Sequence, residues 1–151
     1  ARLYRAGRPG AKPGVILGEM ATDLLLRGPL NRLADSRLAD PRLEDARTAG
    51  SRTVRTYVYE FAWRSPVLGL GACHALEIGF VFDNLRHGEA LSGPDAPQPL
   101  ADVMHRAWVD FATSGDPGWA AWDARRPVRV FDHPGTSTVL APRQEELRAW
   151  L

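Results

Sequence analysis

The chain has 151 residues, of which 44% are hydrophobic and 25% are charged, so neither a disordered polypeptide nor a membrane-embedded one fits its composition. Lysine and arginine total 19 against 18 aspartate and glutamate residues, a balance that gives no reason to expect nucleic acid or an anionic membrane as a partner. No apolar run approaches the roughly 20 residues of a membrane-spanning helix, so a soluble protein is expected, with the cytoplasm and secretion both left open.

The N-terminal part predicts a loop followed by two helices. Residues 1–14 are rich in Arg, Gly and Pro and are expected to form the loop. A helical pattern then covers Val15–Arg27. Gly28 and Pro29 are expected to break this helix before a second one opens with Pro29 in its first turn.

A five-residue repeat occupies the second predicted helix. Its copies are RLADS at 32–36, RLADP at 37–41 and RLEDA at 42–46. Five residues advance an α-helix by about 500°, so the repeated leucines cannot share one face. The repeat is therefore interpreted as a surface feature, interrupted at Pro41, which has no amide hydrogen to continue the helix.

The clearest predicted strand covers residues 54–63. Its alternation places four aromatic side chains on one face: Tyr57, Tyr59, Phe61 and Trp63. The other face carries Val58, Glu60 and Ala62. Because a lone strand leaves both edges unpaired, the chain is expected to depend on a sheet supplied elsewhere.

Helical segments are predicted after the strand. A helical or turn segment is expected over Leu76–Leu85 and a loop over Gly88–Pro99. The apolar residues of Leu100–Thr113 recur at helical spacing, which predicts an amphipathic helix. Four aromatic residues of this region are expected in the core first: Phe80, Phe82, Trp108 and Phe111.

The C-terminal part predicts two short extended pieces and a final helix. The extended pieces are Val128–Phe131 and Thr138–Leu140. The helix begins at Pro142 and is expected to turn three apolar residues inward: Leu147, Trp150 and Leu151. The whole pattern predicts an α/β protein, with mostly helices around one strand.

One histidine lies in the loop that follows the predicted strand, in the run GACHALEIGFVF at residues 71–82. With YVYEFAWRSP at 57–66, this run resembles the C-terminal region of type-B carboxylesterases, which include para-nitrobenzyl esterases and cholinesterases. Two further segments are similar to the same family: TDLLLRGP at 22–29 and WVDFATSGDP at 108–117. The resemblance covers nearly the whole chain.

The resemblance implies an α/β-hydrolase fold in which residues 1–151 form the C-terminal part of a single domain. It maps the triad base onto His74, and the serine and acid come earlier in the family. No Gly-x-Ser-x-Gly nucleophile elbow occurs in the 151 residues, so the N-terminal part of the domain is expected to be missing from this chain. The complete protein would be a carboxylesterase that hydrolyses small-molecule carboxylic esters without metal or organic cofactor, and this chain alone is expected to be inactive.

Glu77 allows two interpretations. It follows His74 at a three-residue spacing, which metal ligands can use, but the lack of further histidines or cysteines nearby argues against a metal site. We instead expect Glu77 to stabilise the first turn after the loop and to support the active site from behind His74. Cys73 is not expected to be a nucleophile, because the side chains of consecutive residues diverge.

Two carboxylates and three histidines remain to be interpreted. Glu19 and Asp23 stay open as the missing acid of the triad, although the resemblance gives Asp23 a structural role on a helix. Three histidines are expected to be solvated or to cap helices: His87, His105 and His133.

Two other functions stay open at this stage. A cholinesterase-like adhesion or binding protein shares the fold, but such proteins commonly lose a triad member, and the retained His74 argues against this alternative. An inactive remnant of a truncated hydrolase is the second alternative. The sequence upstream would distinguish them.

Overall fold

A computed structural model describes residues 1–50 and 54–150. Its helices are α1 (Arg2–Ala6), α2 (Pro13–Thr22), α3 (Gly28–Ala39), α4 (Pro41–Thr48), α5 (Ile78–Val81), α6 (Glu89–Ser92), α7 (Gln98–Ser114) and α8 (Gln144–Leu147). A π-helical turn, Asp23–Arg27, joins α2 to α3, and short 3₁₀ turns lie at Val67–Gly69 and Leu85–His87. The strands are β1 (Tyr59–Phe61), β2 (Pro127–Phe131) and β3 (Ser137–Leu140). None of these helices is long and apolar enough to cross a membrane.

The strands form one sheet in the order β1-β2-β3. β1 runs parallel to β2, with Tyr59 opposite Arg129 and Phe61 opposite Phe131, and β3 runs antiparallel to β2. The two extended pieces predicted near the C-terminus are thus confirmed as strands. The expectation of a single strand is wrong, because β2 pairs with one edge of β1.

β1 is shorter than the strand predicted over 54–63, which corrects that prediction. Only Tyr59–Phe61 forms a regular ladder with β2. Ahead of it, the Thr56 carbonyl accepts a hydrogen bond of 2.7 Å from the Trp122 amide, which lies before β2 begins. Within residues 1–50 and 54–150, no strand pairs with the other edge of β1, so that edge keeps the unpaired backbone groups of an edge strand.

The aromatic face of β1 packs on α7, as the alternation predicts. Tyr57 meets Phe111 edge-on at a centroid distance of 6.0 Å, and Tyr59 meets Trp108 at 6.2 Å. The core under this face comprises Phe80, Val81, Leu100, Ala101, Met104, Ala107 and Phe131. The amphipathic helix predicted over 100–113 is confirmed as α7, which buries Leu100, Ala101, Met104 and Ala107. Trp108 and Phe111 are 43% and 46% exposed, so the expectation that they lie in the core is wrong.

The opposite face of β1 packs on α3. Val58 contacts a small cluster in which Ala34, Trp122 and Val128 are buried. Asp35 accepts hydrogen bonds from the Trp122 indole at 3.0 Å and from Arg126 at 2.7 Å. Because Ala34 and Asp35 belong to the first copy of the five-residue repeat, the interpretation of the whole repeat as surface is wrong for that copy.

The N-terminal part is more helical than predicted. The expected loop over 1–14 is wrong, because α1 forms there and buries Tyr4, and α2 already begins at Pro13. The expected break at Gly28 is also wrong. Gly28 keeps helical angles (φ −58°, ψ −56°), and its amide donates to the Asp23 carbonyl five residues earlier, which is a π-type bond. The interruption at Pro41 is confirmed, since Asp40 is extended between α3 and α4.

Two later predictions need smaller corrections. The expected loop over 88–99 contains the short helix α6. The last helix is a single turn, α8, that starts two residues after Pro142. Leu147 is buried as predicted and Trp150 is half-buried, while Leu151 lies outside the described residues.

Candidate active site

A short antiparallel bridge between Ser65 and Gly71 closes the loop 66–70, which lies just before the His74 turn. The Ser65 amide donates to the Gly71 carbonyl at 3.1 Å, and the Ser65 hydroxyl donates to the Leu91 carbonyl. Gly71 has a φ of +65°, a backbone angle that residues with a Cβ rarely adopt. This bridge ends the extended chain after β1 and places His74 at the start of the next turn.

His74 is exposed, on a turn that runs from residue 74 to residue 77. It makes no hydrogen bond or ion pair with any residue that the structure describes. Both nitrogens of its imidazole are therefore open to partners, as a proton-transfer group requires.

Glu77 lies at the end of the same turn and begins α5. Its carbonyl accepts the amides of Phe80 at 3.0 Å and Val81 at 2.9 Å, but its carboxylate forms no capping hydrogen bond with that helix. Burial raises the pKa of the Tyr59 phenol, and the negative charge of Glu77 raises it further. The carboxylate thus acts electrostatically on β1, and no hydrogen bond joins it to His74 within the described chain.

An apolar cavity of about 320 Å³ borders the turn after His74. Its lining includes Ala75, Leu76, Ile78, Phe82 and Leu85. Phe82 is 71% exposed, so the expectation that it lies in the core is wrong, whereas Phe80 is fully buried as expected. The difference arises because Phe82 follows the last residue of α5 and points away from the face that packs on α7.

The two carboxylates considered for the acid are engaged elsewhere. Asp23 is fully buried, accepts the Tyr4 hydroxyl at 2.7 Å and pairs with Arg27 at 2.7 Å. Glu19 pairs with arginines on the face of β1 opposite α7, through the same cluster that binds Glu60. The structure does not bring either carboxylate to the His74 ring.

The other histidines occupy varied positions. The His105 ring lies with Nδ1 at 2.8 Å from the Val81 carbonyl, so this nitrogen carries the proton and caps the end of α5. His87 is exposed beside the Asn84 amide, and His133 is exposed. Among residues 1–50 and 54–150, no three metal-ligating side chains come close enough to hold an ion.

Sequence analysis did not single out the charged cluster behind β1. Glu60 binds Arg27 and Arg143, which are 33 and 83 residues away along the chain. A glutamate on a predicted strand was the available signal, because a partly buried carboxylate needs partners.

The chain is similar to proteins of known function. The model of the carboxylesterase family matches residues 12–136. A phenmedipham hydrolase from Pseudarthrobacter oxydans is 29% identical over 113 residues, which are 72% of this chain and 21% of that protein.

Solved structures give the same picture. A PNB esterase superposes with a TM-score of 0.58 at 26% identity, over 64% of this chain and 22% of its own. An esterase from Clostridium hathewayi, described as able to hydrolyse aliphatic aromatic polyesters, superposes with a TM-score of 0.67 at 22% identity. The superposition covers 99% of this chain and 28% of the Clostridium hathewayi esterase, and it shows a similarity of fold. The chain therefore spans only 21 to 28% of the length of these relatives.

Proposed function

The chain belongs to the carboxylesterase family and has part of the α/β-hydrolase fold, and from that premise we propose that it supplies the triad histidine of a serine ester hydrolase. His74 is the residue we assign to this role. The observation that carries the proposal is its position: an exposed imidazole, on the loop after a sheet strand, with neither nitrogen bonded to a described residue. Such a ring can contact a serine through one nitrogen and an acid through the other.

His74 would act as general base and then as general acid. A serine hydroxyl is a weak nucleophile at neutral pH, and a neutral imidazole can take its proton while the oxygen attacks the ester carbonyl. The same proton then passes to the departing alkoxide, which leaves an acyl-serine for water to hydrolyse. Backbone amides near the serine would hold the oxyanion, and one such donor is worth roughly 3–4 kcal/mol in enzymes where it has been removed.

Glu77 would support this site without touching the substrate. Its carbonyl accepts the amides of Phe80 and Val81, so its backbone starts α5 directly after the His74 turn. We propose that these backbone hydrogen bonds fix the end of the turn, so that the His74 ring keeps its orientation.

The substrate we propose is a small-molecule carboxylic ester, hydrolysed without a metal or an organic cofactor. The names of the matched relatives, a PNB esterase and a phenmedipham hydrolase, support hydrolysis of a small molecule. The choice of acyl or alcohol group would depend on residues outside this chain, apart from the apolar cavity beside the His74 turn.

We also propose that residues 1–151 are the C-terminal part of one hydrolase domain, with the serine and the acid on preceding polypeptide. The small share of each relative that the chain covers supports this division. The unpaired edge of β1 within the described residues supports it too, because parallel strands are normally buried between neighbours. The 151 residues alone would then be inactive.

Reading the genomic frame upstream of the Ala1 codon is the first test. A Gly-x-Ser-x-Gly elbow followed by an acidic residue is the expected result. A stop codon directly upstream would instead favour an inactive remnant, and an upstream frame without the serine would favour a binding protein of the same fold.

Kinetics of the complete protein then test His74 itself. His74→Ala should lower kcat on a small ester by about a million-fold, the loss found when a triad histidine is removed from a serine hydrolase. His133→Ala is the matched control, since His133 is exposed, does not line the cavity beside the His74 turn, and its ring bonds no residue that the structure describes. Equal activity of the two variants would contradict the assignment, and so would turnover by the 151-residue chain above that of its own His74→Ala variant.

A further inference from the structure

A closed ring of ion pairs lies on the face of β1 opposite α7. Glu19 Oε2 is 3.3 Å from Arg27 and 2.9 Å from Arg143. Glu60 Oε1 is 3.2 Å and 3.3 Å from the same two guanidinium groups. We call Glu19, Arg27, Glu60 and Arg143 the back-face ring. It joins α2, the π-helical turn, β1 and the segment just before α8.

The ring is partly desolvated, which makes it stronger than a surface ion pair. Its four side chains are each between 21% and 28% exposed. At such sites the attraction between charges exceeds its value in water, and a network loses less side-chain entropy per contact than an isolated pair does. Burial opposes the charge on Arg27, but the carboxylates of Asp23, Glu60 and Glu19 together raise its pKa.

The segment 143–150 is tied down almost entirely by such polar contacts. Glu146 accepts Arg8 through both of its oxygens, one of them at 3.1 Å. The Trp150 indole donates to the Tyr4 hydroxyl at 2.6 Å, and the Trp150 carbonyl accepts Arg32 at 2.8 Å. Only Leu147 adds a fully buried apolar side chain.

Helix α8 has four residues, far below the roughly 12–15 that an isolated helix needs in water. Its own backbone therefore cannot hold this segment in place. Contacts to other parts of the fold must do so. They come from the N-terminal helices, from β1, and from Arg126 before β2, which donates to the Gln144 side chain at 3.0 Å.

We propose that residues 143–150 form a C-terminal latch, which the back-face ring locks onto β1. Glu60 is its attachment point on the strand, and Arg143 is the group that reaches it. By clamping β1 from behind, the latch fixes the strand from which the His74 loop departs. The latch stands on these contacts whether or not His74 is catalytic.

Hydrogen exchange of the complete protein, measured by mass spectrometry, tests the latch. Glu60→Gln keeps the shape of the side chain but removes the charge that binds Arg27 and Arg143. We expect exchange of the amides in 143–150 to rise by about tenfold or more, although Glu60 is 83 residues from Arg143 in sequence. Amides of α7, on the other face of β1, should change much less.

Two matched controls accompany this variant. Glu89→Gln makes the same change at an exposed glutamate of α6, and Arg148→Gln removes an exposed arginine within the latch itself. Both should leave exchange in 143–150 within about twofold of the unchanged chain, whereas Arg143→Gln should match Glu60→Gln. Unchanged exchange in 143–150 after Glu60→Gln would overturn the proposal.

A milder variant is needed if Glu60→Gln also raises the hydrogen exchange of the amides in α7. Arg143→Lys keeps the charge but removes the planar fork that contacts two carboxylates. It should raise exchange in 143–150 by a smaller factor and leave α7 protected. Equal loss of protection in α7 and in 143–150 would show that the segment is no separate latch.

Discussion

Replacing Gly28 by alanine should destabilise the protein, although alanine is the better helix former. The π-type bond from the Gly28 amide brings the Asp23 carbonyl close to the Gly28 backbone. An added Cβ would lie 2.8 Å from that carbonyl oxygen, well inside van der Waals contact. Asp23 cannot retreat easily, because it is fully buried and held by Tyr4 and Arg27.

The expected size follows from two opposing effects. Alanine gains about 0.5–1 kcal/mol over glycine in a helix interior. Overpacking against a backbone atom costs about 1–3 kcal/mol. Gly28→Ala should therefore lower the free energy of unfolding by about 1–2 kcal/mol. Gly18→Ala, in α2, is the matched control and should raise it by about 0.5–1 kcal/mol, since nothing lies within 4 Å of its added Cβ.

Urea unfolding followed by far-ultraviolet circular dichroism measures both variants under one set of conditions. The two free energies should differ by about 1.5–3 kcal/mol, with Gly18→Ala the more stable. If Gly28→Ala proved as stable as Gly18→Ala, the π-helical turn would not be held as the structure describes it.

Two further predictions concern stability. Phe131→Ala should lower the free energy of unfolding by about 3–5 kcal/mol, because this ring is 1% exposed and packs against Tyr59. Phe82→Ala, at a ring that is 71% exposed, should lower it by less than about 1 kcal/mol in the same urea assay. Similar losses for the two variants would contradict the assignment of the core. Burial, aided by the Asp23 carboxylate, raises the pKa of Tyr4 to about 12. Since a tyrosine in the unfolded chain titrates near pH 10, the stabilisation is complete below about pH 10 and is lost as the pH rises towards about 12. Urea midpoints across that window should fall more steeply for the unchanged chain than for Tyr4→Phe, and parallel profiles would contradict this.

Much of the candidate site could be predicted from local sequence. The run around His74 resembles one family, and the comparisons confirm that family, while the role of His74 stays a prediction. The alternation over 57–63 correctly predicted which face of β1 packs on α7, because successive side chains of a strand point to opposite faces whatever its neighbours are. The amphipathic spacing of α7 was equally informative.

Other features depended on contacts between distant residues. Sequence spacing gave no sign that Glu60 would meet Arg27 and Arg143, or that Asp35 in the repeat would bind Trp122. Phe82 is a large apolar residue of the kind usually found in a core, but it follows the last residue of α5 and is exposed in the structure.

The amino-acid sequence by itself indicated the family, through the resemblance of the run around His74, and it determined the faces of the main strand and helix, because these faces follow from the periodicity of neighbouring residues. The tertiary structure alone decided the π-helical turn at Gly28, the pairing of β1 with β2 and the ring that holds the C-terminal segment. Each of these features depends on contacts between residues that are distant in sequence. The desolvation of a charge and the pairing of a strand depend on which groups the folded chain places beside them, and a local sequence pattern does not contain that information.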